Sequence, residues 1–168
     1  VNSETGEPTF ADLDKSGGLS EGDISYIGDA IPDFTYGITL AASWKGFDLT
    51  IFGTGSHGND IFNCINRPDF KASNKLKEVF YDNRWTVDNK AGTVPRAGAM
   101  LMDKYQLSDA LVYDGSYFKI KQIQFGYSFP QKWLKKIFVN NLRIYGSLDD
   151  FITFTNYPGF DPEAAAST

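Results

Sequence analysis

Residues 36–44 alternate strictly between apolar side chains and small or polar ones, and this pattern constrains the fold more than any other feature. A period of two residues predicts a β-strand with one apolar face. The chain then reverses within three residues, Trp44 to Gly46, and the alternation resumes at Phe47. So short a turn between two long strands predicts an antiparallel hairpin. The large apolar side chains of this hairpin are Tyr36, Ile38, Leu40, Trp44, Phe47, Leu49 and Ile51.

A second hairpin is predicted further along the chain. Strand patterns near 115–129 and 141–152 flank "PQKWLKKIF", which fits one or two helical turns that begin at Pro130. The alternation changes phase at Lys121–Gln122, which indicates a β-bulge. With the first hairpin (34–44 and 47–56), this gives four strands separated by a long loop, 57–113. Leu76, Val79 and Phe80 have helical spacing and predict a short helix near 73–82 within that loop.

Composition narrows the functional classes. No apolar run reaches the roughly 18 residues of a transmembrane helix, but the strands of a membrane β-barrel alternate and escape that test. A net charge of −5 argues against a nucleic-acid partner. With one His and one Cys, the chain offers no catalytic constellation, so we expect no enzyme activity and no organic cofactor. Alternation alone leaves open a barrel wall and a soluble β-sandwich or β-rich module.

The first 32 residues contain an acidic segment, "FADLDKSGGLSEGD", with the spacing of an EF-hand calcium loop. Such a loop places oxygen ligands at positions 1, 3, 5, 7, 9 and 12, with Gly at position 6 for the turn. Gly17 stands at position 6. The candidate ligands are Asp12, Asp14, Ser16, the carbonyl of Gly18, Ser20 and Asp23. Ser at position 5 and Asp at position 12 depart from the usual pattern, and a solvated acidic turn is the alternative.

Two further groups of residues stand out. Arg84, Trp85 and Arg96 lie in the long loop and are of the types that dominate binding interfaces. We therefore name them as candidates for contact with a substrate or partner, against ordinary loop packing. Lys132, Lys135 and Lys136 beside Trp133 suit a basic interfacial helix, although a solvated turn is the simpler interpretation.

Several motifs, taken in order, resemble the C-terminal region of the SusC/RagA family of TonB-dependent outer-membrane transporters of Bacteroidetes. They are "PDFTYG", "WKGFDL", "GND", "DGSYFKIKQIQFGY" and "FTNYPGFDPE", and the acidic opening is similar to a loop common in the family. Together they cover nearly the whole chain. We expect the family's signal peptide, TonB-contact segment, plug domain and final barrel strand to lie outside this sequence.

The resemblance implies an all-β fold: about four strands of an antiparallel transmembrane barrel of about 22 strands. It also implies that residues 1–32 form an extracellular loop and that residues 33–168 form part of the barrel. Loop 57–113 would lie outside the cell, and the turns at 44–46 and 130–140 would lie in the periplasm. The seven apolar hairpin residues would face lipid. The implied activity is import of oligosaccharides or peptides with a SusD-like surface lipoprotein and the TonB complex. The alternative is a soluble, calcium-stabilised β-rich module that binds glycan at the cell surface.

Overall fold

The structure, a computed structural model, describes residues 1–63 and 81–165. The strands are β1 (Phe34–Trp44), β2 (Phe47–His57), β3 (Asp60–Phe62), β4 (Val112–Asp114), β5 (Tyr117–Ser128) and β6 (Arg143–Thr155). The short α-helices are α1 (Met102–Tyr105), α2 (Gln131–Leu134) and α3 (Pro162–Ala165), and 3₁₀ turns span Glu21–Asp23, Asp109–Leu111 and Lys135–Ile137. The prediction of a mostly antiparallel β chain with few helices is confirmed.

The four long strands form one sheet in the order β1-β2-β5-β6, with every neighbouring pair antiparallel. β1 and β2 are joined by Lys45 and Gly46, whose φ angles are 48° and 90°. Two central turn residues with positive φ are typical of the turn whose twist matches a two-residue hairpin. This local geometry fixes the register, which pairs Trp44 with Phe47 and Leu40 with Ile51.

A bulge in β5 lies where the alternation changes phase. Relative to β2, Lys121 is an extra residue of β5, between Ile120 and Gln122. Relative to β5, β6 in turn has one extra residue, because Asp150 and Phe151 both lie opposite Lys121. One extra residue reverses the parity of a strand. Ile120 and Ile123 therefore lie on the same side of the sheet despite their odd spacing.

The pairing gives the sheet one apolar and one polar face, because directly paired residues share a face. The large apolar side chains of the apolar face are Tyr36, Ile38, Leu40, Trp44, Phe47, Leu49, Ile51, Phe118, Ile120, Ile123, Phe125, Tyr127, Ile144, Leu148, Ile152 and Phe154. The opposite face carries mainly Thr, Ser, Gln and charged residues. Sheet formation alone thus segregates the two kinds of side chain.

The chain divides into two compact units, Val1–Gly28 with Phe62–Val112, and Asp29–Ile61 with Tyr113–Thr168. In the described part of the first unit, Leu111 and Ala99 are the buried apolar residues. In that of the second they are Ile61, Leu134 and Tyr157. None of these three belongs to the apolar face of the four-stranded sheet. The buried apolar residues of the second unit therefore lie outside that face.

The long segment between the hairpins is not structureless where it is described. It contains β3, β4, α1 and the 3₁₀ turn Asp109–Leu111. The helix predicted near 73–82 falls largely on residues 64–80, outside the described residues, and Tyr81 and Asp82 are helical. Among the described residues, no helix combines the length and hydrophobicity needed to cross a membrane.

Candidate functional site

Aromatic rings gather at one end of the apolar face. Tyr36 and Phe118 stack with ring centroids 5.9 Å apart and planes within 2° of parallel. Gly55 lies between them in the register. A Cβ at Gly55 would overlap the Tyr36 ring, and one at Gly53 would come within 2.6 Å of the Phe118 ring. The two strand glycines therefore make room for the stacked rings, a known way to stabilise glycine in a sheet.

A second aromatic cluster lies at the other end of the same face. The Phe47 ring lies 4.5 Å from Tyr127 and 5.7 Å from Phe125, and Tyr127 meets Phe129 edge to face at 4.9 Å. Trp44 pairs with Phe47 across the turn. The apolar face thus has an aromatic band at each end and aliphatic side chains between them.

The polar face carries an ionic cluster near its bulge. Lys119 is buried, with 7% of its side chain exposed, and its Nζ lies 2.5 Å from Asp161, 3.1 Å from Glu163 and 3.4 Å from Asp150. Lys121 Nζ lies 2.8 Å from Glu163 and 3.3 Å from Asp150. Asp150 has φ +48° and sits opposite Lys121 in the β5–β6 bulge. Lys121 and Asp150, which lie in the bulge, therefore supply two of the five charges of the cluster.

This cluster fixes the segment that follows β6. Hydrogen bonding from Lys119 lowers the pKa of Asp161, and hydrogen bonding from Lys121 lowers that of Glu163. Tyr157 is buried, and its ring lies 6.2 Å from that of Tyr113. The sequence pattern does not predict the cluster, because its partners are 42 and 44 residues apart. Its only local sign is two lysines around the phase change.

The acidic loop brings three of the predicted ligands together. Carboxylate oxygens of Asp12, Asp14 and Asp23 all lie within 4.8 Å of one another. The Ser20 side chain caps the 3₁₀ turn Glu21–Asp23, and the backbone N–H of Ser20 donates to Asp23 at 2.8 Å. The N–H of Leu13 also donates to Asp23, at 2.7 Å. These bonds draw Asp23 back toward the start of the loop.

The other predicted ligands form hydrogen bonds inside the loop. The Ser16 hydroxyl donates to the Gly18 carbonyl at 3.0 Å, and the Ser20 hydroxyl donates to Asp14 at 2.6 Å. The bond from Ser20, with smaller contributions from Ser16, lowers the pKa of Asp14 to about 2. Asp14 is therefore ionised at neutral pH. Ca²⁺ binds oxygens at about 2.3–2.6 Å, so oxygens up to about 5 Å apart fit around one ion. The carboxylates of Asp12, Asp14 and Asp23 meet that spacing.

Trp85 and Arg96 contact the N-terminal segment of their own unit. The Trp85 indole N–H donates to the Ser3 carbonyl at 2.9 Å, and a Cβ at Gly6 would lie 2.5 Å from the Trp85 ring. Arg96 binds Glu7 through Nε and Nη2 at 3.0 and 2.6 Å. Arg84 lies half-buried, with its guanidinium 5.4 Å from the Tyr81 ring. Trp85 and Arg96, two of the three candidate binding residues, thus stabilise the conformation of the loop.

Comparison with known proteins places this geometry in context. No protein-family model matches the sequence. TonB-dependent receptor P3 of Formosa agariphila is 37% identical over 164 residues, which are 97% of this chain and 16% of the relative. SusC of Bacteroides thetaiotaomicron is 25% identical over 170 residues, again 97% of this chain and 16% of the relative.

The fold has solved counterparts. A structure of the RagAB peptide importer in its closed-closed state matches with a TM-score of 0.74 and 27% identity, over 98% of this chain and 19% of that one. An open-open state of the same importer matches equally well, with a TM-score of 0.74. The chain therefore spans about a sixth of the length of the curated relatives that it matches.

These relationships confirm the resemblance seen in the motifs and the predicted location in the outer membrane. The relatives are named as receptors and importers, in agreement with the prediction that the chain is not an enzyme. In sequence and in fold, the chain belongs with the TonB-dependent receptors of the SusC/RagA family and matches one segment of them.

Proposed function

We propose that this chain forms part of the wall of an outer-membrane β-barrel in a TonB-dependent importer, with the apolar face of its sheet toward lipid and the polar face toward the lumen. The seven residues predicted to face lipid, from Tyr36 to Ile51, all lie on the apolar face. In barrels of this kind, side chains alternate between lipid and lumen along every strand.

One observation carries the proposal: large side chains of the apolar face are exposed. Leu40 is 60% exposed, Trp44 67% and Phe125 52%. Soluble monomers rarely expose a contiguous apolar patch larger than roughly a few hundred Å². Tyr36 and Trp44, near the two aromatic bands, are eight residues apart in sequence. A strand rises about 3.4 Å per residue, so they are about 27 Å apart along the strand. With a tilt of about 40°, this distance spans about 21 Å along the barrel axis, close to the apolar band of about 25 Å in outer-membrane barrels.

The alternative, a soluble glycan-binding module, requires a second sheet to cover the apolar face. Within the described residues, the only other sheet consists of β3 and β4, which have three residues each. Two strands of that length are too small to cover four strands of 11 to 13 residues. The membrane-wall proposal therefore accounts better for the exposed face.

The mechanism inferred for the whole receptor involves no covalent chemistry. Substrate is captured between the outer loops of the barrel and a SusD-like surface lipoprotein, and energy from the TonB complex opens a path through the barrel. The name of the RagAB peptide importer supports peptides as a substrate class, and oligosaccharides are the other class that the family resemblance implies. In this orientation, segment 57–113 lies outside the cell, and the turns at 44–46 and 130–140 lie in the periplasm.

We further propose that residues 1–32 form an extracellular loop stiffened by Ca²⁺. Asp12, Asp14 and Asp23 would supply carboxylate oxygens, the Gly18 carbonyl and the hydroxyls of Ser16 and Ser20 would complete the set, and the ion would have no catalytic role. Arg84 would contact substrate or the lipoprotein partner, whereas Trp85 and Arg96 would maintain the shape of that surface.

The orientation of the sheet is tested by cysteine labelling in a chimeric receptor. In this chimera the chain replaces the matching segment of the 37%-identical Formosa receptor, with Cys64→Ser. Thr39→Cys and Leu40→Cys are neighbours on opposite faces. We expect a small water-soluble maleimide to label Thr39→Cys and a lipid-soluble reagent to label Leu40→Cys, with Ser147→Cys and Leu148→Cys as a second pair.

A folded chimera is recognised by a gel shift on boiling, which is typical of outer-membrane barrels. If the water-soluble reagent labels both members of each pair equally in a heat-modifiable chimera, the proposed orientation is wrong. Efficient labelling of Leu40→Cys and Leu148→Cys by the water-soluble reagent alone would place the apolar face in contact with water and contradict the proposal as well.

A further inference from the structure

The end of the sheet at the short turns is strongly basic, although the chain as a whole carries a net charge of −5. Residues 44–48 and 126–143 contain five basic residues and one acidic residue, Asp48. Asp48 is paired with Arg143. The other four, Lys45, Lys132, Lys135 and Lys136, are exposed, and none forms an ion pair with a described carboxylate. This end therefore presents four uncompensated ammonium groups.

The turn between β5 and β6 also exposes large apolar side chains. Trp133 is 60% exposed, Ile137 62% and Phe138 98%. The turn is nevertheless ordered, because Leu134 is buried and its carbonyl accepts a hydrogen bond from the Val139 N–H at 3.2 Å. Phe138 occupies a left-handed conformation, φ +57°, where glycine is usual. Phe138 is thus a large hydrophobic residue with a strained backbone conformation and an almost fully exposed side chain.

The aromatic band of the apolar face leads into this turn. Phe47 contacts Tyr127, and Tyr127 contacts Phe129, which directly precedes Pro130 at the start of the turn. Lys45, in the neighbouring turn, lies with its Nζ 4.6 Å from the centre of the Trp44 ring. Aromatic rings prefer the boundary between acyl chains and headgroups, and lysines just beyond it meet the phosphates. At this end of the sheet the aromatic rings come first and the lysine lies beyond them, which is the order expected at the surface of a membrane.

We propose that the turn 130–142, together with Lys45, binds the anionic headgroups of phospholipids in the adjacent membrane leaflet. Trp133, Ile137 and Phe138 enter the interface, and Lys45, Lys132, Lys135 and Lys136 contact lipid phosphates. This inference rests on the membrane placement proposed above. The charge complementarity favours anionic over zwitterionic phospholipid, since each lysine near an anionic surface adds to binding.

The test uses the Cys64→Ser chimera with a bimane label at Ile137→Cys, in nanodiscs of brominated phosphatidylcholine with or without about 30% phosphatidylglycerol. Bromine on the acyl chains quenches a probe that enters the membrane. Val87→Cys is the matched control, since Val87 is an exposed aliphatic residue of the long loop. We expect quenching at position 137 that is about twofold stronger with phosphatidylglycerol, and none at position 87.

Charge dependence is tested by the triple variant Lys132→Gln/Lys135→Gln/Lys136→Gln, with Lys15→Gln/Lys90→Gln/Lys104→Gln as a control of equal charge change. Native mass spectrometry of particles released from mixed nanodiscs measures the retained ratio of phosphatidylglycerol to phosphatidylcholine. We expect the turn variant to lower this ratio at least about threefold and the control to leave it unchanged.

The possible results distinguish the turn inference from the membrane placement on which it rests. Quenching at a labelled Leu40→Cys without quenching at position 137 overturns the turn inference and leaves the membrane wall intact. An absence of quenching at both positions overturns the proposed membrane placement itself. Quenching at position 137 that is independent of phosphatidylglycerol, with an unchanged lipid ratio in the turn variant, overturns headgroup binding.

Discussion

Asp48 on β2 and Arg143 on β6 form a two-pronged ion pair that crosses the intervening strand above Gly126. The guanidinium Nη2 and Nε lie 2.6 and 3.1 Å from the two carboxylate oxygens. A Cβ at position 126 would lie 2.7 Å from both Arg143 Nη2 and Asp48 Oδ2. Glycine at this position of β5 is therefore what allows the side chains to meet across two strand spacings.

Gly126→Ala should abolish the coupling between Asp48 and Arg143. Because both side chains are about one-third exposed and solvent screens their charges, the pair should contribute only weakly to sheet stability. A double-mutant cycle with Asp48→Asn and Arg143→Gln measures this coupling from the hydrogen-exchange opening free energies of the β5–β6 amides. The same coupling energy in a Gly126→Ala background would show that the pair forms without the glycine.

Gly55→Val should destabilise the apolar face at the Tyr36–Phe118 stack. The new side chain would overlap the Tyr36 ring, and overpacking of this kind costs about 1–3 kcal/mol. Gly146→Val is the matched control, since Gly146 lies on the same face and a Cβ there would have no atom within 4 Å. Hydrogen exchange of β2 amides should rise for Gly55→Val only. Equal effects of the two variants would mean that the stack does not depend on Gly55.

The ionic cluster at the bulge should release the segment after β6 in acid. Lys119 and Lys121 lower the pKa of Asp161 and Glu163 below their ordinary values of 3.8 and 4.5. Carboxyl groups with lowered pKa stabilise the folded state fully above the ordinary values and lose that contribution as pH falls through the lowered ones. Protection of residues 157–163 from hydrogen exchange should therefore be constant from pH 7 to about pH 5 and decline below it.

Asp161→Asn should produce the same release at neutral pH. Removing one partner of the buried Lys119 should cost about 1–3 kcal/mol, less than for a fully buried pair because Asp161 is 38% exposed. Asp149→Asn is the control, since Asp149 accepts hydrogen bonds only from Gln122 and Ser147 among the contacts described for it. A segment that stays protected in Asp161→Asn would show that Tyr157 packing alone holds it.

Asp14→Asn should weaken calcium binding at the acidic loop by about tenfold or more, because Ca²⁺ affinity depends on the number of charged ligands. Titration calorimetry of the purified chimera measures the affinity, and protection of residues 1–32 from thermolysin reports stiffening of the loop. Glu21→Gln removes an equal charge beside the three carboxylates and should change little. Identical calcium affinities for these two variants would identify a solvated acidic turn.

Gly6→Ala should be more costly than Gly98→Ala. Both glycines have left-handed φ angles, 71° and 72°, so each substitution carries backbone strain of about 1–2 kcal/mol. Only at Gly6 would the new methyl group also meet the Trp85 ring. The fluorescence of Trp85 is obtained by subtracting the spectrum of a matching Trp85→Phe variant. It should shift in Gly6→Ala and not in Gly98→Ala. Matching spectra would mean that Trp85 does not pack on the N-terminal segment.

Features that depend on residues close together in the chain can be predicted from the amino-acid sequence. Alternation placed Tyr36, Leu40 and Phe47 on one face, and the phase change at Lys121 located the bulge, because side-chain direction in a strand follows a period of two. The spacing of Asp12, Asp14 and Asp23 likewise predicted that their carboxylates would meet, since a loop of this length closes locally.

Contacts between distant parts of the chain depend instead on how the strands are arranged in the folded protein. Asp48 and Arg143 are 95 residues apart, Trp85 and Ser3 are 82 apart, and Lys119 and Asp161 are 42 apart. A strand pattern fixes which face a residue occupies but leaves open which strand lies beside it. Only the order β1-β2-β5-β6 places Gly126 between Asp48 and Arg143, and only the path of the chain after β6 brings Asp161 to a buried lysine.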